Sequence, residues 1–347
     1  MNVSESLAKW YKSNKRFLPW RESGNPYYIW ISEIILQQTR VQQGLDYYQR
    51  FIHRFPTVFI LSESSLEQVL KIWQGLGYYS RARNLYRTAR IIVSEYNGII
   101  PRDYHLLLKL PGIGEYTAGA IASLAYNQPF PAIDGNVYRV LARYFGIENS
   151  TDTAKAKKEF YRVALSILDR NDPGRHNQAM IELGALICLP RNPHCSGCPI
   201  SDSCYANLKN RTNELPVKKK QIASLHRYFY YLVIRKGDSL FIKQRSDNDI
   251  WAMLYDFPLI ERNHLLTIPE ELLTSDEWKQ LFRGKNISIR KISSEIKHQL
   301  SHQIIHAWFV EIEAGNHFVY DSAIEIKNRQ LEDFPMSRLM EIYLEGK

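Results

Sequence analysis

The stretch Leu107-Leu-Lys-Leu-Pro111-Gly112-Ile-Gly114-Glu115-Tyr116-Thr117, with Asp134-Gly135-Asn136 twenty residues beyond Gly114, decides how the chain is read. A leucine-rich approach stops at Pro111, which cannot continue a helix, while Gly112 and Gly114 permit positive φ and a close backbone neighbour. The apolar spacing predicts a helix from about Glu115 to Ala125, and Asp134 stands as the N-cap of another. The first turn of a helix carries N–H groups without intrahelical partners, so a glycine turn opening onto one forms a seat for a phosphate. An αα-hairpin closed by glycines without any ligand reads the same way.

Outward from this turn, apolar residues recur at i, i+3, i+4 from Ser4 to about Cys188: Leu7, Trp10 and Tyr11; Trp30, Ile31, Ile34 and Ile35; Val69, Leu70 and Trp73. No strand pattern interrupts them, so this half is predicted to be all-α. The segment from Pro26 to Arg40 sets one carboxylate, Glu33, among apolar and aromatic residues. Burial raises a Glu pKa and keeps the group protonated near neutrality, as a general acid requires; a Glu on a solvated helix face is the plainer alternative. Gln38, on the next turn, can donate and accept at base edges. The turn from Trp73 to Asn84 presents Tyr78 and Tyr79 ahead of Arg81 and Arg83, a pattern suited to an aromatic wedge beside phosphates. It equally suits core packing of one tyrosine.

The chain has 347 residues, 45% of them hydrophobic, enough for two cores and hence two domains. Residues 1–221 hold 29 Lys+Arg against 18 Asp+Glu, or +11, and residues 222–347 hold 16 against 18, or −2. A polyanion would therefore meet the first half. No signal-peptide core and no run of 18 apolar residues is present, so a soluble, intracellular protein of the cytoplasm or nucleoid, with no membrane partner, is expected. All four cysteines fall in Cys188-x6-Cys195-x2-Cys198-x5-Cys204, which argues for metal ligation over disulfides. Only one C-x2-C pair occurs, so the spacing leans away from zinc, and it differs from the ferredoxin spacings.

A second fold follows a basic linker at 209–225, which includes Lys218-Lys219-Lys220 beside Pro216. Tyr228–Ile234, the Gly237-Asp238 turn and Leu240–Gln244 predict a hairpin; Ile304–Ile312 and Phe318–Tyr320 add strands, with helices near Pro269–Phe282 and Pro335–Leu344. This part, 226–347, is expected to be α+β.

These pieces stand in one order: the helix Ser-Glu33-Ile-Ile-Leu-Gln-Gln38-Thr, the hairpin with Tyr116, the Asp134 segment, the cysteine loop and the appended domain. The set resembles the MutY-type adenine DNA glycosylases of the helix-hairpin-helix, endonuclease III/MutY superfamily over nearly the whole chain. The resemblance implies a multi-domain protein: an all-α helix-hairpin-helix glycosylase domain at 1–208 with an iron–sulfur loop at 188–204, then an α+β Nudix (MutT)-like domain for lesion recognition. It implies a 4Fe–4S cluster on Cys188, Cys195, Cys198 and Cys204, and DNA backbone contacts at Gly112 and Gly114. Glu33 is the general acid by carry-over, Asp134 the carboxylate that stabilises the sugar cation, and Tyr116 and Asn136 orient the two. Arg21 and Glu182 match positions around an extruded adenine, although an intramolecular salt bridge also explains Glu182. His298-Gln-Leu-Ser301-His302 resembles the loop that reads 8-oxoguanine, with Leu300 where a phenylalanine is usual. Trp251–Pro258 resembles the segment before a Nudix box, but the clustered acidic metal ligands of that box are missing, which argues against nucleotide pyrophosphatase activity.

The expected partner is double-stranded DNA with adenine opposite 8-oxoguanine or guanine, met by a monomer. Two rivals remain. A bifunctional endonuclease III-like glycosylase and lyase needs an amine where Tyr116 stands, since a phenol forms no imine. A non-catalytic iron–sulfur lesion-binding protein has no use for two carboxylates near a polyanion.

Overall fold

The computed structural model describes residues 3–150, 153–217, 224–266 and 269–346. Contacts divide them into two units, 1–63 with 84–220 and 64–83 with 221–347. Lys218, Lys219 and Lys220 of the expected linker lie outside the described residues.

The first unit is helical, as its periodicity predicts. The Val3–Asn14 helix packs on Pro173–Leu186, and that helix on Gly135–Phe145, around Leu7, Val137, Leu141, Phe160, Met180 and Leu183. Eight of the eleven residues of the Pro26–Leu36 helix are buried, which follows from apolar side chains on every face. It packs along Glu115–Tyr126, a helix buried from Thr117 to Ser123, whose Gly119 admits the Pro131 backbone, with Pro131 O 2.4 Å from where a Cβ would stand. The latter helix ends at Tyr126, one residue past its expected stop, and Asn127 after it is in the left-handed conformation. Among the described residues no helix is long and apolar enough to cross a membrane.

The second unit is built on strands β1 (Leu225–Lys236), β2 (Ser239–Gln244), β3 (Tyr255–Asp256), β4 (Leu259–Arg262), β5 (Ile287–Ile292), β6 (Ile296–Gln299), β7 (Gln303–Ala314) and β8 (Ile324–Lys327). Their path is β3-β2-β1-β7-β5, with β4 on β1, β6 on β7 and β8 on β2. The long central pair β1–β7 is parallel, in register from Leu225 opposite Gln303 to Arg235 opposite Glu313. Alternate residues feed two cores: Phe229, Tyr231, Ile305 and Phe309 meet the Arg338–Glu345 helix on one face, and Tyr230, Leu232, Trp308 and Val310 meet Trp278 and Phe282 on the other. Burial on both faces explains why β1 reads as a continuous apolar run. The predicted hairpin is β1–β2. The expected strand at Phe318–Tyr320 is not formed: Phe318 N–H bonds Gly315 O in a turn and its ring packs edge-on against Phe241, so ring burial rather than a sheet ladder accounts for the apolar letters. The region expected as one helix near Pro269–Phe282 is a 3₁₀ turn at Pro269–Thr274 and a short helix, Asp276–Phe282, restarted at the Ser275 cap.

Candidate active site

Glu33 lies in the Pro26–Leu36 helix, which starts at Asn25, an N-cap accepting from Tyr27 N–H. Because that helix is enclosed, Glu33 is only 7% exposed, and the solvated-face alternative does not hold. Tyr116, second residue of the Glu115–Tyr126 helix, donates its hydroxyl to Glu33 Oε2. Burial pushes the Glu33 carboxyl up, the Tyr116 hydrogen bond opposes this, and the charge of Asp134 adds to it; the outcome is about 7. Burial together with the charges of Glu33 and Asp134 pushes the Tyr116 phenol well above its ordinary value, so it remains a donor.

Asp134 caps the Gly135–Phe145 helix as expected. Its Oδ1 accepts Val137 N–H at 2.8 Å and its Oδ2 accepts Asn136 Nδ2 at 2.8 Å. Burial pushes this carboxyl up, while the two hydrogen bonds pull the other way. Asn136 is fixed in turn by Arg139, whose Nη2 donates to Asn136 Oδ1 at 2.8 Å and to Gly184 O at 2.7 Å, and whose Nε donates to Cys188 O at 2.7 Å. Gly184 permits this approach, since a Cβ there would stand 2.6 Å from Asn136 Cβ. Glu33, Tyr116, Asp134 and Asn136, spread over about a hundred positions of sequence, therefore meet in one place.

Glu182 is fully buried and does form the intramolecular ion pair. Arg21 Nη2 reaches Glu182 Oε2 at 2.8 Å, and Arg16 supplies its backbone N–H at 2.9 Å and its Nε at 2.7 Å to Oε1. Burial opposes ionisation, yet the Arg16 and Arg21 hydrogen bonds outweigh it and hold the carboxyl down at about 2. The sequence reading missed Arg16; its signal was a second arginine five residues before Arg21, both facing a lone carboxylate on an apolar helix.

In the hairpin, Gly112 has φ +78, a Cβ there would fall 2.7 Å from Asn84 Cβ, and Thr88 Oγ1 donates to Pro111 O at 2.7 Å. Gly114 is the N-cap of the next helix and offers no side-chain cap, which leaves first-turn N–H groups for an anion. Gln38 is exposed with φ +60, just past the end of its helix.

The four cysteines line one solvent-open hollow of about 300 Å³ with Arg143, Ile187 and Pro193. Among the described residues, four thiols and no carboxylate or imidazole line this hollow, the all-cysteine donor set that an iron–sulfur cluster takes. Burial pushes the Cys198 thiol up to about 11 and raises Cys195 and Cys204, so ionising the set calls for positive charge at its centre. Arg143, 2% exposed, adds a cation at the rim: its Nη1 lies 3.3 Å from Cys188 Sγ and donates to Leu189 O at 2.7 Å. Arg143 was also missed, although it follows Val140 by three residues on the apolar stripe of its helix, where a lone cation needs partners.

In the second unit Ser301 and His302 are the exposed central residues of the β6–β7 turn, closed by Leu300 N–H to Gln303 O at 2.8 Å. Leu300 packs against the core and the Trp251 ring lies 5.7 Å from that of His298. Of the two tyrosines in the glycine turn, Tyr79 is buried and Tyr78 is 50% exposed, with its hydroxyl bonded to Ser301 Oγ. Arg81 is buried and donates to Leu76 O at 3.2 Å, inside the turn rather than toward an outer ligand.

Family models match three stretches: HhH-GPD superfamily base excision DNA repair protein at 31–164, iron–sulfur binding domain of endonuclease III at 188–204, and NUDIX domain at 230–346. The adenine DNA glycosylase of Buchnera aphidicola subsp. Baizongia pistaciae is 40% identical over 304 residues, covering 86% of this chain and 82% of that protein. The human adenine DNA glycosylase is 41% identical over 219 residues, covering 60% of this chain and 40% of its own. A thermostable thymine-DNA glycosylase superposes with TM-score 0.55 at 27% identity, over 59% of this chain and 95% of that one. An endonuclease III in a non-covalent DNA complex, at 24% identity and TM-score 0.52 over 60% of this chain and 94% of that one, shares the fold. With a relative of this identity matched over most of both lengths, the chain belongs to the adenine DNA glycosylase family.

Proposed function

We propose that the chain removes adenine paired with 8-oxoguanine or guanine in duplex DNA, hydrolysing the N-glycosidic bond and leaving an abasic site without cutting the strand. Its family makes it a base-excision-repair hydrolase of N-glycosyl bonds that acts on DNA and carries one 4Fe–4S cluster. The observation that carries the finer reading is the pair of carboxyls side by side: Glu33, raised by burial to about 7 with Tyr116 donating to it, and Asp134, also raised by burial but countered by hydrogen bonds from Val137 N–H and Asn136 Nδ2 that favour its anion.

Adenine leaves poorly until N7 is protonated. Glu33 gives its proton to N7, the C1′–N9 bond breaks with its electron pair passing to the base, and the sugar is left cationic beside the Asp134 carboxylate. Water then bonds to C1′ and returns a proton to Glu33. Tyr116, by engaging Oε2, leaves Oε1 to carry the proton; Asn136 keeps Asp134 turned inward. General acid catalysis supplies about 10²–10⁴-fold, or ~3–5 kcal/mol, so Asp134 and substrate positioning provide the remainder. Arg21 and Glu182 frame the extruded adenine. Gly112 and Gly114 seat a phosphate, Gln38 hydrogen-bonds base edges, Tyr78 wedges into the gap left by the extruded base, and Ser301 and His302 read the base opposite.

Cys188, Cys195, Cys198 and Cys204 would hold the cluster, which when bound crosslinks the 188–204 loop. Arg143 and Arg139 brace that loop from the Gly135–Phe145 helix. A phenol at 116 forms no imine with the sugar, so strand cleavage has no catalyst there. The protein works as a monomer in the cytoplasm or nucleoid.

Single-turnover reactions on duplexes with adenine opposite 8-oxoguanine, stopped with and without alkali, test this reading. Strand breaks are expected only after alkali. Breaks without alkali would overturn the monofunctional assignment, and intact adenine would overturn the activity.

A further inference from the structure

The turn Gln74-Gly-Leu-Gly-Tyr-Tyr79-Ser80 holds an aromatic residue where aromatic residues rarely sit. Tyr78 has φ +43, in the left-handed region, between Gly77 at φ +66 and buried Tyr79. With its ring half exposed, Tyr78 does not stabilise this conformation by its own burial, so the surroundings must hold it.

Part of the hold is internal. Trp73 Nε1 donates to Gly77 O at 3.2 Å and Arg81 Nη2 to Leu76 O at 3.2 Å. The rest comes from residues near 334–341, in the same compact unit. Gln74 is the link: its Nε2 donates to Glu341 Oε1, and its Oε1 accepts Met336 N–H at 3.2 Å. Tyr79 hydroxyl donates to Met336 O at 3.3 Å and Lys71 Nζ to Phe334 O at 3.3 Å. At its exposed tip the turn meets Ser301 through the Tyr78 hydroxyl.

We propose that Gln74 and Glu341 are positioning residues for lesion discrimination: by fastening the turn to the Arg338–Glu345 helix they hold Tyr78 and Ser301 as one reading surface. The inference rests on the reading of Tyr78 as the wedge in the base stack and of Ser301, bonded to its hydroxyl, as a group that reads the base opposite adenine. Neither Gln74 nor Glu341 touches the substrate in this scheme. They act through the geometry of the turn, as the amide of Gln74 uses both its donor and its acceptor to close two hydrogen bonds at once. Losing one such bond is worth roughly fivefold, and losing both at Gln74 up to about thirtyfold.

The test uses the full chain. Single-turnover rates and dissociation constants are measured on adenine opposite 8-oxoguanine and opposite guanine for the wild type, Gln74→Ala, Glu341→Ala and Glu341→Gln. Expected is a fivefold to thirtyfold loss of 8-oxoguanine preference in Gln74→Ala and a smaller one in Glu341→Ala, with an unchanged rate opposite guanine. Glu341→Gln keeps an acceptor for Gln74 and should retain most of the preference, a rescue that loss of fold would not give. Preserved preference in both alanine variants overturns the proposal. So does an equal fall on both mispairs accompanied by a lowered melting temperature. A wild type without preference for 8-oxoguanine would instead overturn the reading of Tyr78 and Ser301 on which the proposal rests.

Discussion

Glu33→Gln separates chemistry from fold because the amide keeps the shape, can still accept from Tyr116, and has no acidic proton. With a carboxyl near 7, about half the molecules are protonated at pH 7, against roughly 0.3% for a carboxyl at 4.5. The wild-type rate should therefore hold below pH 7 and fall about tenfold per pH unit above it, whereas the variant should lose about 10²–10⁴-fold and show no such limb. The same proton has a stability signature. Between 4.5 and about 7 the folded chain binds a proton that the unfolded chain has released. Stability is thus fully present below 4.5 and declines as pH rises through 7, by about 3 kcal/mol in all. Glu33→Gln removes that decline and should melt higher than wild type at pH 8. Tyr116→Phe deletes a hydrogen bond that favours the Glu33 anion, so its alkaline limb should move upward by about one pH unit. The assay is single-turnover base release from pH 5.5 to 9, paired with thermal melts at pH 6 and 8. A Glu33→Gln variant with near-normal rate, or a wild-type limb unaltered by Tyr116→Phe, would refute the assignment.

Asp134→Asn should abolish base release and lower melting modestly, because the side-chain Oδ1 still caps the helix while the new amide meets Asn136 Nδ2 where Oδ2 had accepted; a variant that remains active sinks the cation-stabilising role. Anaerobically purified protein should be yellow-brown with close to four irons per chain and little zinc, and Cys195→Ser should lower iron content and DNA binding together; one zinc in active, colourless protein would contradict this. Ser301→Ala with His302→Ala should shrink the preference for 8-oxoguanine by about one to two orders of magnitude, since a base-specific contact is worth ~1–3 kcal/mol. Raising salt should weaken both mispairs alike, because phosphate contacts carry no information about the lesion.

The catalytic cluster was legible where the sequence carried a local rule. Proline and glycine fixed the hairpin, Asp134 preceded a helix as a cap does, and a carboxylate at Glu33 stood in a segment apolar on every face. Long-range pairings left no such trace. Arg16 and Glu182 lie 166 positions apart, and nothing in either neighbourhood names the other. The short strands β3, β4, β5, β6 and β8 were missed for a related reason: in β5 the alternation Ile287-Ser-Ile289-Arg is short and broken by a bulge before Lys291, most of the strand is exposed, and its pairing with β7 sets its conformation. Phe318–Tyr320 misled in the other direction, because buried rings in a loop imitate the letters of a strand.

The compact unit that joins 64–83 to 221–347 imposes an order on synthesis. Lys71, Gln74 and Tyr79 find Phe334, Met336 and Glu341 some 257 to 267 positions later in the chain. A ribosome releasing the chain from its first residue exposes the Leu66–Trp73 helix long before those partners exist. Completion of the turn that presents Tyr78 waits until residues 334–341 have emerged, so the surface read as lesion-recognising takes shape well after the helix that leads into it has been made.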